Sequence, residues 1–219
     1  MTAVIDMIRN DYKALQSTER ADSVQDFFND TNLSHFPVLE QEEFMGSLSQ
    51  NDAETFTFDK DINQYKYTFE SFHAGKEIAL LDLLELFARH QTDVVPVLDE
   101  NNNYIGYYEI QDAIRLFNDT PFLREAGTVL TVEKDIIDYS MSQVVQIVES
   151  NNAKVLGCFI SDSTLTTLQI SIKISAGGIN DIIQTFRRYN YEIISQHEED
   201  NYLADLKDRS EYLKKYLSI

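Results

Sequence analysis

The stretch at residues 94–113, VVPVLDENNNYIGYYEIQDA, decides the fold of this chain. It begins with an apolar run around Pro96, continues through the polar residues 99–103 and returns through residues 104–108. Two short runs rich in Val, Ile and Tyr around a polar turn are typical of a β-hairpin with a longer loop. Gly106 lies inside the second run, where a glycine indicates that another backbone approaches closely. We therefore predict strands at 94–98 and 104–108, followed by a helix at 109–118.

Residues 35–53, HFPVLEQEEFMGSLSQNDA, repeat this pattern about 60 positions earlier. The proline, the glycine and the aspartate of the pattern recur in order, and apolar residues recur at helical spacing upstream of both copies. The matching positions are Pro37 and Pro96, Gly46 and Gly106, Asp52 and Asp112, and the stripes Val24, Phe27, Phe28 and Leu83, Leu86, Phe87. Two copies are too few for a solenoid. The repeat predicts two similar units packed face to face.

The two copies together resemble the cystathionine-β-synthase (CBS) domain family. Its members read strand, helix, strand, strand, helix, with an apolar-Pro-Val strand followed by Gly, two apolar residues, Ser or Thr, two further residues and Asp. Residues 46–52, GSLSQND, carry that ending in full, whereas GYYEIQD has Glu109 in place of the hydroxyl residue. The resemblance covers about residues 1–125. It implies a CBS domain at 1–66 and another at 67–125, paired into a module with a cleft, with modules forming a homodimer.

The resemblance also implies a ligand site at Ser49 and Asp52, where the family binds the ribose hydroxyls of an adenosine-type ligand. The candidate ligands are AMP, ADP, ATP and S-adenosylmethionine. A carboxylate accepts both ribose hydroxyls, and a helix N-terminus offers N–H groups to phosphate. The same pair can cap the helix instead, and the two roles are compatible. By family analogy Phe36 lines the adenine pocket and Asp112 reaches the shared cleft, although Glu109 would repel a phosphate.

The remaining elements of the first 125 residues follow from apolar spacing and turn residues. Residues 4–15 have helical spacing, with a short strand at 13–16 as the alternative. Asp22 or Ser23 is the predicted N-cap of the first long helix. The other predicted elements are strands at 35–39, 43–48 and 67–72 and a helix at 77–90.

Beyond residue 127 the pattern changes to strand-helix-strand-strand-helix-strand. Residues 168–175 alternate apolar and polar side chains, which predicts a strand with one buried face. This order is a ferredoxin-like split βαβ, and at residues 128–200 it resembles an ACT domain. The order CBS-CBS-ACT is similar to that of the acetoin-utilisation accessory proteins. Amino-acid-binding ACT domains usually have a glycine in the loop that here spans residues 134–139, and its absence argues against an amino-acid ligand.

Residues 201–219 have the spacing of an amphipathic helix that packs either on its own protomer or on a partner subunit. The fold class is therefore α/β (α+β): two paired CBS domains, an ACT-like domain and a C-terminal helix.

The net charge of −19 argues against nucleic acid as a partner, because such a surface repels phosphate backbones. It serves solubility, or it requires a phosphorylated ligand to be held locally or with a divalent cation. The sequence has no apolar run of about 18 residues and no signal-peptide core, so we expect no membrane span and a cytoplasmic protein. The single cysteine, Cys158, is expected to be a buried thiol. No Cys/His cluster predicts a metal site.

No catalytic motif occurs, so we expect no enzyme and no required cofactor. Two hypotheses remain. The first is a regulatory protein that senses an adenine nucleotide or related adenosine compound and acts on its ACT-like domain or on a partner protein. The second is a ligand-free interaction or assembly module, which Glu109, the acidic surface and the missing loop glycine favour.

Overall fold

The structure is a computed structural model that describes residues 4–175, 177–197 and 216. Helices and sheets are both present, so the fold is mixed α/β. The described residues up to Asp119 form one compact unit, and those from Thr120 onward form another. None of the helices described is long and apolar enough to cross a membrane.

The first repeat is a three-stranded sheet with two helices. Strand β1 runs parallel to β2, and β2 runs antiparallel to β3. The elements are a 3-10 helix at Val4–Met7, β1 at Leu15–Gln16, α1 at Ala21–Thr31, β2 at His35–Glu40, β3 at Glu43–Ser49 and α2 at Gln50–Ala53.

The second repeat has the same topology. Strand β4 is parallel to β5, β5 is antiparallel to β6, and the register shifts after Val97 as it does after Val38 in the first repeat. The duplication predicted from the sequence is thus confirmed. The elements are a 3-10 helix at Ile62–Thr68, β4 at Ala74–Gly75, α3 at Leu80–His90, β5 at Val94–Leu98, β6 at Tyr104–Glu109 and α4 at Ile110–Asn118.

The two strand glycines mark places where a segment crosses from one repeat to the other. Gly46 and Gly106 have φ angles of +140° and +143°, which residues other than glycine rarely adopt. A Cβ atom on Gly106 would lie 2.5 Å from the carbonyl oxygen of Arg9. The backbone of Arg9 pairs with the second repeat next to Gly106, and the segment between the repeats pairs with the first repeat next to Gly46. The predicted close approach at Gly106 is confirmed.

The cores of the two repeats are joined. The Phe36 ring packs against Tyr107 of the second repeat, with ring centroids 5.2 Å apart. At the start of β2 and β5, the Ser34 hydroxyl donates a 2.7 Å hydrogen bond to the Asp93 carboxylate. Because Ser34 and Asp93 immediately precede matching strands, this bond links equivalent positions of the two repeats. The first core cluster is Leu15, Ala21, Val24, Phe28, Phe36, Val38, Leu48, Ala53, Phe56, Ile62, Val94 and Tyr107.

Three local predictions need correction or completion. The N-cap of α1 is Arg20 rather than Asp22 or Ser23, and the Asp22 carboxylate in the first turn pairs with the Arg20 guanidinium. The strand predicted at 67–72 is wrong: the 3-10 helix extends to Thr68, and Glu70 pairs with the first repeat instead of with β5. Both alternatives for residues 4–15 are realised, as a 3-10 helix and as β1.

The second unit is a four-stranded antiparallel sheet in the order β10-β7-β9-β8. Its core lies where the alternating residues Leu168, Ile170, Ile172 and Ile174 face the helices. Cys158 is half-buried at the edge of this core rather than fully buried. The predicted helix at 201–219 lies outside the described residues, apart from Tyr216. The elements are α5 at Pro121–Arg124, β7 at Gly127–Asp135, α6 at Met141–Ser150, β8 at Val155–Ser163, β9 at Thr167–Ser175, α7 at Ile179–Arg188 and β10 at Glu192–Ile193.

Candidate functional site

The Ser49 side chain caps α2 and orients the Asp52 carboxylate. Ser49 has an extended backbone, and its Oγ accepts a 3.0 Å hydrogen bond from the Asp52 backbone N–H. The same Oγ donates to Asp52 Oδ2 at 2.6 Å. Within the described part of the chain, Asp52 Oδ1 has no hydrogen-bond partner. The capping role is therefore realised, and one carboxylate oxygen stays available to a ligand.

The backbone N–H groups at the start of α2 are largely engaged. The Gln50 N–H donates to the Ser34 carbonyl at 2.8 Å, and the Asp52 N–H donates to Ser49. The helix has only four residues, Gln50–Ala53. Recognition of a ligand here would depend on the Asp52 carboxylate more than on the helix terminus.

The Phe36 side chain lies inside the core of the first repeat. It has no exposed surface, and its ring centroid is 4.7 Å from that of Phe27. Tyr12 and Tyr107 contact it edge-on. With aromatic rings on several sides, Phe36 is a core residue and presents no open surface to a ligand.

The Asp112 carboxylate of the second repeat is occupied by two guanidinium groups. Arg9 Nε donates to Oδ2 at 2.6 Å, and Arg115 Nη1 donates to Oδ1 at 3.2 Å. Arg9 Nη1 also lies 3.4 Å from Glu109 Oε2. The Asp112 side chain is 12% exposed, so these ion pairs are partly shielded from water. We name Arg9, Glu109 and Asp112 the arginine cluster.

Burial and charge act in opposite directions on this cluster. Burial raises the pKa of Glu109 above its ordinary value, while the Arg9 guanidinium opposes that rise. The hydrogen bond to Asp112 raises the pKa of Arg9 further above its already high value. The guanidinium therefore stays charged, and it offsets part of the repulsion between the two carboxylates.

A cavity of about 310 Å³ lies beside the arginine cluster. This volume is at the lower end of the range for small-molecule sites. Its lining combines both signs of charge with apolar stems: Asp6, Met7, Ile8, Arg9, Asp112, Arg115, Leu116 and Asp119. Sequence reasoning did not find Arg9, because it lies in the segment before the other repeat. The available signal was the unbalanced acidic pair Glu109 and Asp112.

Glu70 takes the place of Arg9 in the first repeat, since it pairs with Ser47 as Arg9 pairs with Tyr107. Its carboxylate faces two histidines rather than Asp52. Oε1 lies 3.3 Å from His35 Nε2, and Oε2 lies 3.8 Å from His90 Nδ1. The two repeats thus have the same backbone pairing at this place, but the paired segment carries a positive charge at Arg9 in one and a negative charge at Glu70 in the other.

In the second unit, the end of β7 and the residues around it line an acidic cavity. The Lys134 Nζ donates to the Tyr189 and Asn190 carbonyls and lies 4.8 Å from the Tyr191 ring centroid. The cavity of about 380 Å³ that Lys134 helps to line has four carboxylates, those of Glu133, Asp135, Asp138 and Glu192. That charge does not favour the carboxylate of an amino acid. Among the residues the structure describes, no three His, Cys, Asp or Glu side chains are grouped to hold a metal ion.

Comparison with known proteins identifies the class of the second repeat. The family model of the CBS domain matches residues 72–119, which include β4 to α4. A sequence search of curated proteins found no match.

Solved structures of similar fold include CBS domains of a transcriptional regulator from Streptococcus pneumoniae, with 19% identity, 52% of this chain and 98% of that chain covered, and a TM-score of 0.46. A CBS domain pair/ACT domain protein from Thermotoga maritima has 17% identity, covers 53% of this chain and 96% of that chain, and gives 0.48. The structure of CBSX2 in complex with AMP has 15% identity and a TM-score of 0.45, and the match covers 52% of this chain and 95% of that chain. At these TM-scores the likenesses establish nothing about the function of this chain.

Proposed function

We propose that this chain is a regulatory protein that senses an adenine nucleotide or a related adenosine compound at Ser49 and Asp52. The ligand is AMP, ADP, ATP or S-adenosylmethionine. Its binding changes the state of the second unit, which we take to be an ACT-like domain, or of a partner protein. Such coupling requires only that the ligand binds two states with different affinities.

One observation carries the proposal: the Asp52 carboxylate is held in place by Ser49 while its Oδ1 has no partner among the described residues. An oriented carboxylate with a vacant acceptor is suited to a ribose hydroxyl, because each hydroxyl needs one acceptor. The matching carboxylate in the second repeat, Asp112, has both oxygens engaged.

The second candidate function is a ligand-free assembly module, in which CBS-type units pair into a homodimer. Two observations favour this alternative: both carboxylate oxygens of Asp112 are engaged by arginines, and the Phe36 ring is fully buried. In this alternative the repeats serve as a rigid platform for another copy or another protein.

A thermal-shift panel of AMP, ADP, ATP and S-adenosylmethionine, with and without Mg²⁺, separates the two functions. Ligand at 100 times its Kd stabilises a folded protein by about 2.7 kcal/mol. That corresponds to an increase in Tm of roughly 5–10 °C for a chain of this size. An unchanged Tm across the panel refutes the sensing function and leaves the assembly module.

Variants then locate the ligand. Asp52→Ala should abolish the shift, because it removes the acceptor. Glu54 is an exposed carboxylate immediately after α2, so Glu54→Ala removes the same charge and should leave the shift unchanged. Asp112→Ala should also keep the shift. A shift that survives Asp52→Ala and disappears with Asp112→Ala would place the ligand in the second repeat.

A further inference from the structure

The segment before β1 places a guanidinium against Oδ2 of Asp112, the carboxylate oxygen that Arg115 does not engage. The Arg9 backbone is fixed there by two hydrogen bonds with Tyr107, at 2.8 and 3.0 Å. Because the pairing lies next to Gly106, the Arg9 side chain emerges directly beside α4. Its Nε is 2.6 Å from Asp112 Oδ2.

A guanidinium and a ribose diol compete for the same acceptors. Each group presents two neighbouring hydrogen-bond donors, and the two oxygens of a carboxylate can accept both donors of either group. The guanidinium is the stronger occupant, because its hydrogen bonds are charge-assisted and the Asp112 side chain is shielded from water. A nucleoside would have to break that pair to reach Asp112.

The first repeat lacks this occupant. Glu70 stands in the place of Arg9, and its carboxylate faces His35 and His90. Asp52 therefore receives a neutral hydroxyl from Ser49 on one oxygen only.

The residue three positions before the motif aspartate differs between the repeats, and so does the residue that pairs beside the strand glycine. The first repeat combines Ser49 with Glu70, and the second combines Glu109 with Arg9. Glu109 Oε2 lies 3.4 Å from Arg9 Nη1, so the substitution that departs from the family pattern supplies a second acceptor for the guanidinium.

From this geometry we infer that Arg9 is a built-in occupant of the second repeat's site, and that it limits the chain to one adenosine-type ligand. The number of ligands rests on the proposed function, whereas the occupation of Asp112 does not. Arg9 and Glu109 thus determine which of the two repeats accepts a ligand.

The direct experiment opens the second site and measures AMP binding by calorimetry. Arg9→Ala removes the occupant, and Glu109→Ser restores the hydroxyl found at Ser49. Asp52→Ala, added to both, silences the first site. This triple variant should bind one AMP per chain, at least about tenfold more tightly than Asp52→Ala alone, which corresponds to about 1.4 kcal/mol. Adding Asp112→Ala should abolish that binding.

A matched control keeps Arg9 and removes the other guanidinium on Asp112. Arg115 is 70% exposed and is a weaker occupant. In the Asp52→Ala background, Arg115→Ala should create no AMP binding. If it does, or if Glu109→Ser alone opens the site, Arg9 is not the occupant that matters. A folded triple variant that binds no AMP overturns the inference.

Two further readings guard against a variant that does not fold. Arg9→Gln combined with Glu109→Ser keeps a hydrogen-bonding side chain at residue 9 but removes the charge. In the Asp52→Ala background this variant should also gain AMP binding. In the unaltered chain, the Arg9 Nε–H resonance in NMR spectra should not move when AMP is saturating. Its loss or displacement at saturation overturns the inference.

The outcomes separate the two proposals. An unaltered chain that binds no AMP, together with a triple variant that binds one, refutes the sensing function and supports the occupation by Arg9. An unaltered chain that binds one AMP, together with a triple variant that binds none, does the reverse. Two AMP molecules per unaltered chain refute the inference alone.

Discussion

Replacing Gly106 with alanine tests the crossing of segments that joins the two repeats. The added Cβ would lie 2.5 Å from the Arg9 carbonyl oxygen and 2.7 Å from Ile8 Cγ2. Both distances are far below van der Waals contact, and one of the two atoms belongs to the backbone. The φ angle of +143° adds strain, because side chains rarely adopt it.

The structure gives the magnitude in two parts. Strain at such a backbone angle costs about 1–3 kcal/mol. Relieving the clash separates Arg9 from Tyr107 and removes two backbone hydrogen bonds, each with a net contribution of about 1 kcal/mol. We therefore expect Gly106→Ala to lower the free energy of unfolding of the first unit by about 3–5 kcal/mol.

Two other glycines provide graded controls. Gly46 has nearly the same φ angle, but its added Cβ would lie 3.0 Å from its nearest neighbours, so Gly46→Ala should cost about 1–3 kcal/mol. Gly75 has no atom within 4 Å of an added Cβ, so Gly75→Ala should change stability by less than about 1 kcal/mol.

The assay is urea unfolding followed by circular dichroism, with hydrogen exchange and mass spectrometry to assign the loss to β6 and the segment before β1. The expected order of destabilisation is Gly106→Ala, then Gly46→Ala, then Gly75→Ala. A neutral Gly106→Ala, or a larger loss for Gly46→Ala, would refute the close approach of Arg9 as the cause.

Three further outcomes follow from single side chains. Ser49→Ala removes the cap of α2 and should cost about 1 kcal/mol in urea unfolding, whereas Ser49→Thr should retain most of the stability; equal losses would contradict the cap. Gly157→Ala places a Cβ 2.3 Å from Phe122 Cδ2, so it should destabilise the second unit by about 1–3 kcal/mol and speed hydrogen exchange in α5, and unchanged exchange would speak against that packing. Burial raises the pKa of Glu109 above its ordinary value, so the folded state loses stability as the pH rises and this carboxyl ionises. Glu109→Gln removes the ionising group and should flatten the decline in the free energy of unfolding measured between about pH 4 and 7. A steeper decline in the variant would show that the ion pair with Arg9 outweighs the burial of Glu109.

The local sequence was sufficient for the elements whose signal lies within a few residues. The hairpin at β5 and β6, the apolar stripe of α3 and the alternation in β9 all appear where period and turn residues place them. Gly106 was also informative on its own, since a glycine inside a strand indicates a bulge, a bend or the close approach of another backbone. The duplicated topology follows from the same local signals read twice.

Two local predictions were wrong because a residue has a partner that its own pattern does not indicate. The residues around Glu70 have the composition of a strand, yet Glu70 pairs with Ser47 and leaves β5 to the short β4. Asp22 has the composition of an N-cap, but its carboxylate is taken by Arg20. The first is a tertiary pairing between the repeats, whereas the second is a local ion pair between residues two positions apart.

The sequence by itself determined two homologous repeats, a following βαββαβ unit and the motif residues Ser49, Asp52 and Asp112. Only the tertiary structure decided that these two aspartates are not equivalent. Arg9 is about 100 residues away from Asp112 in sequence and within hydrogen-bond distance in space. Periodicity and motif spacing report neighbours along the chain, whereas the state of a carboxylate depends on whichever charge the fold brings beside it.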